Sequence, residues 1–152
     1  MSATTVEGPR ATSTDAERVP AIMLIDDNPC DIELTKLGFQ LHGPRAEFRV
    51  ATDGVSAIDQ LRQVIAGDDV PRPDLILLDL NMPVVRGDEV LRFIKGEPTL
   101  RSIPTVVLTS SSSPSEHASF SALGADAFLV KPMIMRELLE MMHRLAPMLR
   151  GM

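Results

Sequence analysis

A chain of 152 residues with 44% apolar and 24% charged residues is long enough for one soluble domain with a sizeable core. Its net charge of −6 and 3% aromatic content, without Trp or Tyr, argue against a nucleic-acid surface, which needs basic side chains and stacking rings. The single cysteine rules out an intrachain disulfide. With no membrane-length apolar run and no signal-peptide core, a cytoplasmic protein without membrane contact is the expectation.

Residues 1–18, rich in Ser, Thr, Gly and Pro and without periodicity, read as a disordered N-terminal tail, leaving 19–152 as one domain. Ala21–Ile25 is a short apolar strand that runs into Asp26 and Asp27. Asn28 can cap a helix with Pro29 at its first position and Asp31 three residues after the cap. That helix is expected to reach about His42. Leu34, Gly38 and Leu41 form one inward stripe, and Ile32, Thr35 and Phe39 a neighbouring one. Glu47–Ala51 is a second strand. Asp53 can cap a helix from about Val55 to Ala66, with Ala57, Ile58, Leu61, Val64 and Ile65 facing inward.

After a polar loop comes PDLILLDLNMP. Leu75–Leu78 is too short for a helix and is bounded by prolines, so it reads as a strand buried on both faces of a parallel sheet. It ends on Asp79. A helix carrying Val90, Leu91 and Ile94 follows and stops at Gly96-Glu97-Pro98. Thr105–Leu108 is a further strand, ending in Thr109. Ser113 to Glu116 forms a capping-box sequence that opens an unusually polar helix, in which Ala118, Phe120, Ala122 and Leu123 are left to pack. Ala127–Val130 runs into Lys131-Pro132. A last helix runs from about Met135 to Leu145 or slightly beyond, with Pro147 expected to end or kink it.

Alternating strands and helices imply an α/β fold with a five-stranded parallel sheet covered on both faces by five helices. Ligands in such sheets sit beyond the carboxyl ends of the strands. Asp26-Asp27, Asp79, Thr109 and Lys131 all fall there. Each alone is commonly a turn or cap residue, but their joint placement is not. Three crowded carboxylates need a cation, and oxygen-only ligands select a hard ion, Mg²⁺ or Mn²⁺. Metal, Lys ammonium, Thr hydroxyl and a carboxylate nucleophile are the parts of phosphoryl transfer, with Asp79 as the natural acceptor.

The stretches MLIDDNP, DLILLDLNMP, VVLTS and FLVKP resemble those of the response-regulator receiver domain of two-component signalling, over about residues 20–146. The resemblance implies a flavodoxin-like, doubly wound sheet of order 2-1-3-4-5. It implies Asp79 as phosphoacceptor, Asp26 and Asp27 as metal-site acids, and Asn81 as a backbone-carbonyl metal ligand. Thr109 and Lys131 would contact the phosphoryl group, with Phe128 as the aromatic switch residue. Gly87 would be the family's turn glycine, and the Lys131–Pro132 bond would be cis. More narrowly, the chain is similar to stand-alone receivers served by phytochrome-type histidine kinases, through its acidic-proline loop and GEPTLRSIP. His117 and Phe120 depart from the family pattern in the fourth helix.

The resemblance makes the chain a single-domain, phosphorylatable switch that acts through a partner, a phosphorelay or competition for phosphoryl groups. Little sequence follows Leu145 to carry a fused output module. The alternative is a phosphatase using an aspartyl-phosphate. Such enzymes commonly place a second acid two residues after the nucleophile, and here that position is Asn81. A phosphate-independent docking domain is disfavoured by the cost of unneeded buried acids. In the last helix, Leu138, Met141, Met142 and Leu145 suffice to cover the sheet. Met135 and Leu139 form a second apolar stripe, which predicts a homodimer through the last strand and helix. Cys30, His42, His117 and His143 show no metal spacing and read as incidental.

Overall fold

The computed structural model describes residues 19–150 apart from 81, 83, 111 and 112. The expected tail, 1–18, lies outside the described residues. Five strands, β1 (Ala21–Ile25), β2 (Glu47–Ala51), β3 (Leu75–Asp79), β4 (Thr105–Thr109) and β5 (Ala127–Val130), alternate with five helices. These are α1 (Pro29–His42), α2 (Gly54–Ala66), α3 (Gly87–Gly96), α4 (Pro114–Ala122) and α5 (Met135–Arg150). The strands are all parallel, in the order β2-β1-β3-β4-β5, which is the expected 2-1-3-4-5 doubly wound arrangement.

Strand β3 is buried along its whole length because both faces of the sheet are covered. Leu75 and Leu77 join Ile22, Leu24, Val106 and Leu108 under α1 and α5. Ile76 and Leu78 point the other way, with Met23, Ile25 and Val107, into a core closed by α2 and α3. Successive strand residues face opposite sides, so a continuous apolar run serves two layers at once. The register aligns Ile25 with Leu78, Asp79 with Leu108, and Thr109 with Val130. The polar residues at the strand ends therefore emerge along one edge.

The caps form as the sequence predicts. Asn28 Oδ1 accepts from the backbone N–H of Cys30 (2.9 Å) and Asp31 (3.2 Å). Asp53 caps α2 through Ser56 N at 2.7 Å, and the helix starts at Gly54, one residue before the expected Val55. Ser113 caps α4 through Glu116 N at 3.4 Å.

Four expectations need correction. In α1 the buried residues are Ile32, Thr35, Gly38 and Phe39, while Leu41 is exposed. Helix α5 crosses so close to α1 that a Cβ on Gly38 would stand 2.8 Å from Leu138 Cδ1. Gly38 and the Ile32, Thr35 and Phe39 stripe face the core, Leu34 is partly buried against it, and of the expected inward residues only Leu41 turns to solvent. In α4 no residue is fully buried; Phe120 and Leu123 are half-buried, and Ala118 and Ala122 are exposed, because the helix lies at the margin of the sheet. Pro147 does not stop α5, which continues to Arg150. Burial of Leu149 beyond it offsets the hydrogen bond that the missing Pro147 N–H costs. Among the described residues no peptide bond is cis, so Lys131–Pro132 adopts the trans isomer, which an X–Pro amide favours by about 0.5–1 kcal/mol. No helix among the described residues is long and apolar enough to cross a membrane.

Candidate functional site

The site forms where β1, β3 and β5 end. Asp79, the last residue of β3, is 2% exposed. Asp26, the residue after β1, is buried, and Asp27 beside it is exposed. Each of the three offers a carboxylate oxygen, and these oxygens lie within 4.8 Å of one another. An all-oxygen set of this size suits a hard divalent cation, and the exposed Asp27 leaves an open side for water or a phosphate oxygen.

Asp26 Oδ1 accepts the backbone N–H of Asn28 at 2.9 Å, which fixes the carboxylate at the turn into α1. Burial pushes its pKa up from the ordinary 3.8 to about 6; the Asn28 N–H pulls the other way, and the negative charge of Asp79 adds to the rise. Lys131 leaves β5 beside these acids, its backbone N–H bonded to Thr109 O at 2.8 Å. Its Nζ lies 2.7 Å from Asp31 Oδ2, 3.2 Å from Asp79 Oδ1 and 3.4 Å from Asp26 Oδ2. Burial works to lower the ammonium's pKa. The hydrogen bond to Asp31 and the charges of Asp26 and Asp79 outweigh it and hold the pKa above the ordinary lysine range.

The backbone behind Asp79 is packed tightly. A Cβ on Gly87 would stand 2.7 Å from both Asp79 O and Leu80 Cα, so only glycine allows α3 to start this close to the end of β3. Val84, in the loop between them, has φ +66°, an unusual conformation for a β-branched residue.

Residues 22–143 match the response regulator receiver domain family. The chain belongs to that family. It is 33% identical over 131 residues to the response regulator Rcp1 of Synechocystis, covering 86% of this chain and 89% of Rcp1. The Mn²⁺-bound structure of Rcp1 superposes with a TM-score of 0.72 over 83% of this chain and 91% of that one. The phosphorylated cyanobacterial phytochrome response regulator RcpA gives a TM-score of 0.74 at 33% identity, over 84% and 91%. The bacteriophytochrome response regulator AtBRR gives 0.68 at 37% identity, over 81% and 89%. Receiver domains are phosphoacceptor signalling domains, not conventional enzymes. The expectation of a hard divalent cation agrees with the metal in the Rcp1 structure and with the Asp26, Asp27 and Asp79 cluster.

The receiver brings Asp26, Asp27, Asp79 and Lys131 together. Thr109 ends β4, with its hydroxyl donating to Glu116 Oε1 at 3.3 Å. That contact corrects the capping-box expectation in part: Ser113 takes the Glu116 N–H, while the Glu116 carboxylate reaches Thr109. Phe128 stands on β5, its ring stacked on His117 at 5.0 Å and 9°. Phe120 meets it edge-on at 6.2 Å. The two residues that depart from the family pattern therefore both touch the expected switch aromatic. Asn81 lies outside the described residues.

Asp31 was not among the expected site residues. Its place in the first turn of α1 reads in sequence as a helix-dipole acid. The available signal was that Asn28 already caps this helix, leaving the Asp31 carboxylate free for another partner.

Proposed function

We propose that this receiver accepts a phosphoryl group on Asp79 from a phosphohistidine of a histidine kinase and signals by a phosphorylation-dependent change of protein contacts. The observation that carries it is the buried Asp79 carboxylate, grouped with Asp26 and Asp27 and 3.2 Å from the Lys131 ammonium. In the transfer, an Asp79 oxygen attacks phosphorus, the new P–O bond forms as the P–N bond breaks, and the kinase imidazole leaves with the electron pair. Lys131 balances negative charge on the transferring group. Asp26, Asp27 and Asp79, with the Asn81 backbone carbonyl, would hold Mg²⁺ or Mn²⁺. The ion would supply charge neutralisation between carboxylates and phosphoryl oxygens.

After transfer, the phosphoryl group competes with Glu116 for the Thr109 hydroxyl. Movement of Thr109 loosens the contacts around Phe128, and this carries the signal to the α4–β5–α5 surface. That surface exposes Val130, Met133, Ile134, Met135 and Leu139. Pairing of two copies through this apolar face is the favoured output, and the same face is the site for a downstream partner if the chain stays monomeric. Similarity to the phytochrome response regulator RcpA and the bacteriophytochrome response regulator AtBRR supports a phytochrome-type kinase as donor.

Amide hydrogen exchange across 109–118, with and without beryllofluoride and Mg²⁺, tests the switch. Slower or faster exchange on adding this phosphoryl mimic is expected in the wild type. No change in the wild type contradicts it.

A further inference from the structure

We infer that Asp31 is a positioning residue for Lys131: it holds the ammonium at the rim of the site in the resting receiver and competes with the phosphoryl group for it. This rests on the assignment of Asp79 and Lys131 made above.

A lysine ammonium has three protons to donate, and here three carboxylates face it. Asp31 is the closest at 2.7 Å, the distance of a charge-assisted hydrogen bond, against 3.2 Å for Asp79 and 3.4 Å for Asp26. The order of exposure runs the opposite way to burial at the reacting centre. The Asp31 side chain is 32% exposed, while those of Asp79 and Asp26 are 2% and 8% exposed. The tightest hold on the ammonium is therefore by the acid nearest solvent, not by the acceptor.

The local structure explains why Asp31 is available. Asn28 caps α1, so the Asp31 carboxylate is not needed by the backbone N–H groups of the first turn. It reaches instead to Lys131, 100 residues on, and ties α1 to the loop after β5. An acid in this position is also the cheapest to leave without its cation, since water and the positive end of α1 both remain beside it. A phosphoryl group on Asp79 replaces the single carboxylate charge with about two negative charges, a net gain of about one next to the ammonium. The flexible lysine stem can then swing inward, and Asp31 gives up its partner. Asp31 thus sets how readily Lys131 is released to the phosphoryl group.

The test is a double-mutant cycle on beryllofluoride affinity, measured by titration calorimetry in saturating Mg²⁺. Asp31→Asn is expected to bind the mimic about fivefold tighter than wild type, the scale of a partly exposed ion pair. Asp31→Glu, which keeps a carboxylate at the rim, is expected to return toward wild-type affinity. In a Lys131→Met background, Asp31→Asn is expected to change nothing. Equal tightening with and without Lys131 overturns the proposal, because removal of any nearby negative charge then explains the gain. Weaker binding by Asp31→Asn overturns it too, since Asp31 would then be holding Lys131 in place for the phosphoryl group rather than competing for it. Absence of mimic binding in the wild type, or its survival in Asp79→Asn, fails the underlying assignment and the inference with it, a pattern distinct from the other two.

Discussion

Asp26→Asn separates the two roles that crowded acids play in this receiver. At pH 8 in excess chelator, the folded protein must keep Asp26 ionised although burial and the Asp79 charge push its pKa from 3.8 to about 6. A rise of that size corresponds to ~3 kcal/mol, since each tenfold gain in proton affinity is worth about 1.36 kcal/mol. Solvent at the open side of the site screens part of this. The substitution also forfeits the longest of the Lys131 contacts, 3.4 Å. A gain of ~1–2 kcal/mol is left, or roughly 3–6 °C in Tm for a chain of this size. The asparagine oxygen can still accept the Asn28 N–H, so the turn into α1 is kept. The folded protein binds this proton more tightly than the unfolded chain, so protonation favours folding. The penalty is complete above pH about 6, where Asp26 is charged in both states, and fades as pH falls toward 3.8. The Tm advantage of Asp26→Asn is therefore expected at pH 8 and expected to shrink by pH 5. In saturating Mg²⁺ at pH 8 the order reverses, because only the wild type gains stability from a tightly bound ion. Thermal unfolding by circular dichroism in these conditions is the assay. A variant that melts no higher than wild type at pH 8 without metal, or an advantage that does not diminish on acidification, refutes the reasoning.

Lys131→Ala is expected to abolish the beryllofluoride-induced change in hydrogen exchange across 109–118; an unchanged response removes Lys131 from the switch. Gly87→Ala is expected to destabilise by ~1–3 kcal/mol, since its Cβ meets backbone rather than a flexible side-chain end; denaturant unfolding with no loss counts against the close approach of α3 to β3. Leu138→Ala, at a fully buried site over Gly38, is expected to cost ~2–5 kcal/mol by the same measurement. Wild-type protein at micromolar concentration is expected to show a dimer mass in sedimentation equilibrium with the phosphoryl mimic, and Leu139→Glu a monomer mass. A wild-type monomer with and without the mimic would make the apolar face a docking site for another protein.

The fold was legible because its signals are local and repeated. Strand β3 announces itself as an apolar run too short for a helix, and Asn28-Pro29, Asp53 and Ser113-Pro114 mark helix starts whose caps form in the structure. The order of the strands came from the resemblance, since alternation fixes parallel pairing but not which strand is central. The acids at the site were legible because Asp26, Asp27 and Asp79 stand at strand ends, where a parallel sheet gathers them.

What was not legible depended on contacts distant in sequence. Leu41 looks apolar enough to be buried, but where α5 crosses α1 is decided by Gly38 against Leu138, 100 positions away. Pro147 reads as a helix stop until the burial of Leu149 is known. Asp31 reads as a dipole acid until Lys131 is seen to reach it. Glu116 likewise fits a capping box by spacing, yet its carboxylate meets Thr109 instead.

The most direct test of the central claim is the intact mass of the protein after incubation with a small phosphodonor and Mg²⁺. The wild type is expected to gain the mass of one phosphoryl group, labile at high pH as an acyl phosphate is, and to gain none in excess chelator. Asp79→Asn is expected to gain none under either condition. Labelling of Asp79→Asn, or full labelling of the wild type without divalent metal, would contradict Asp79 as the metal-dependent phosphoacceptor.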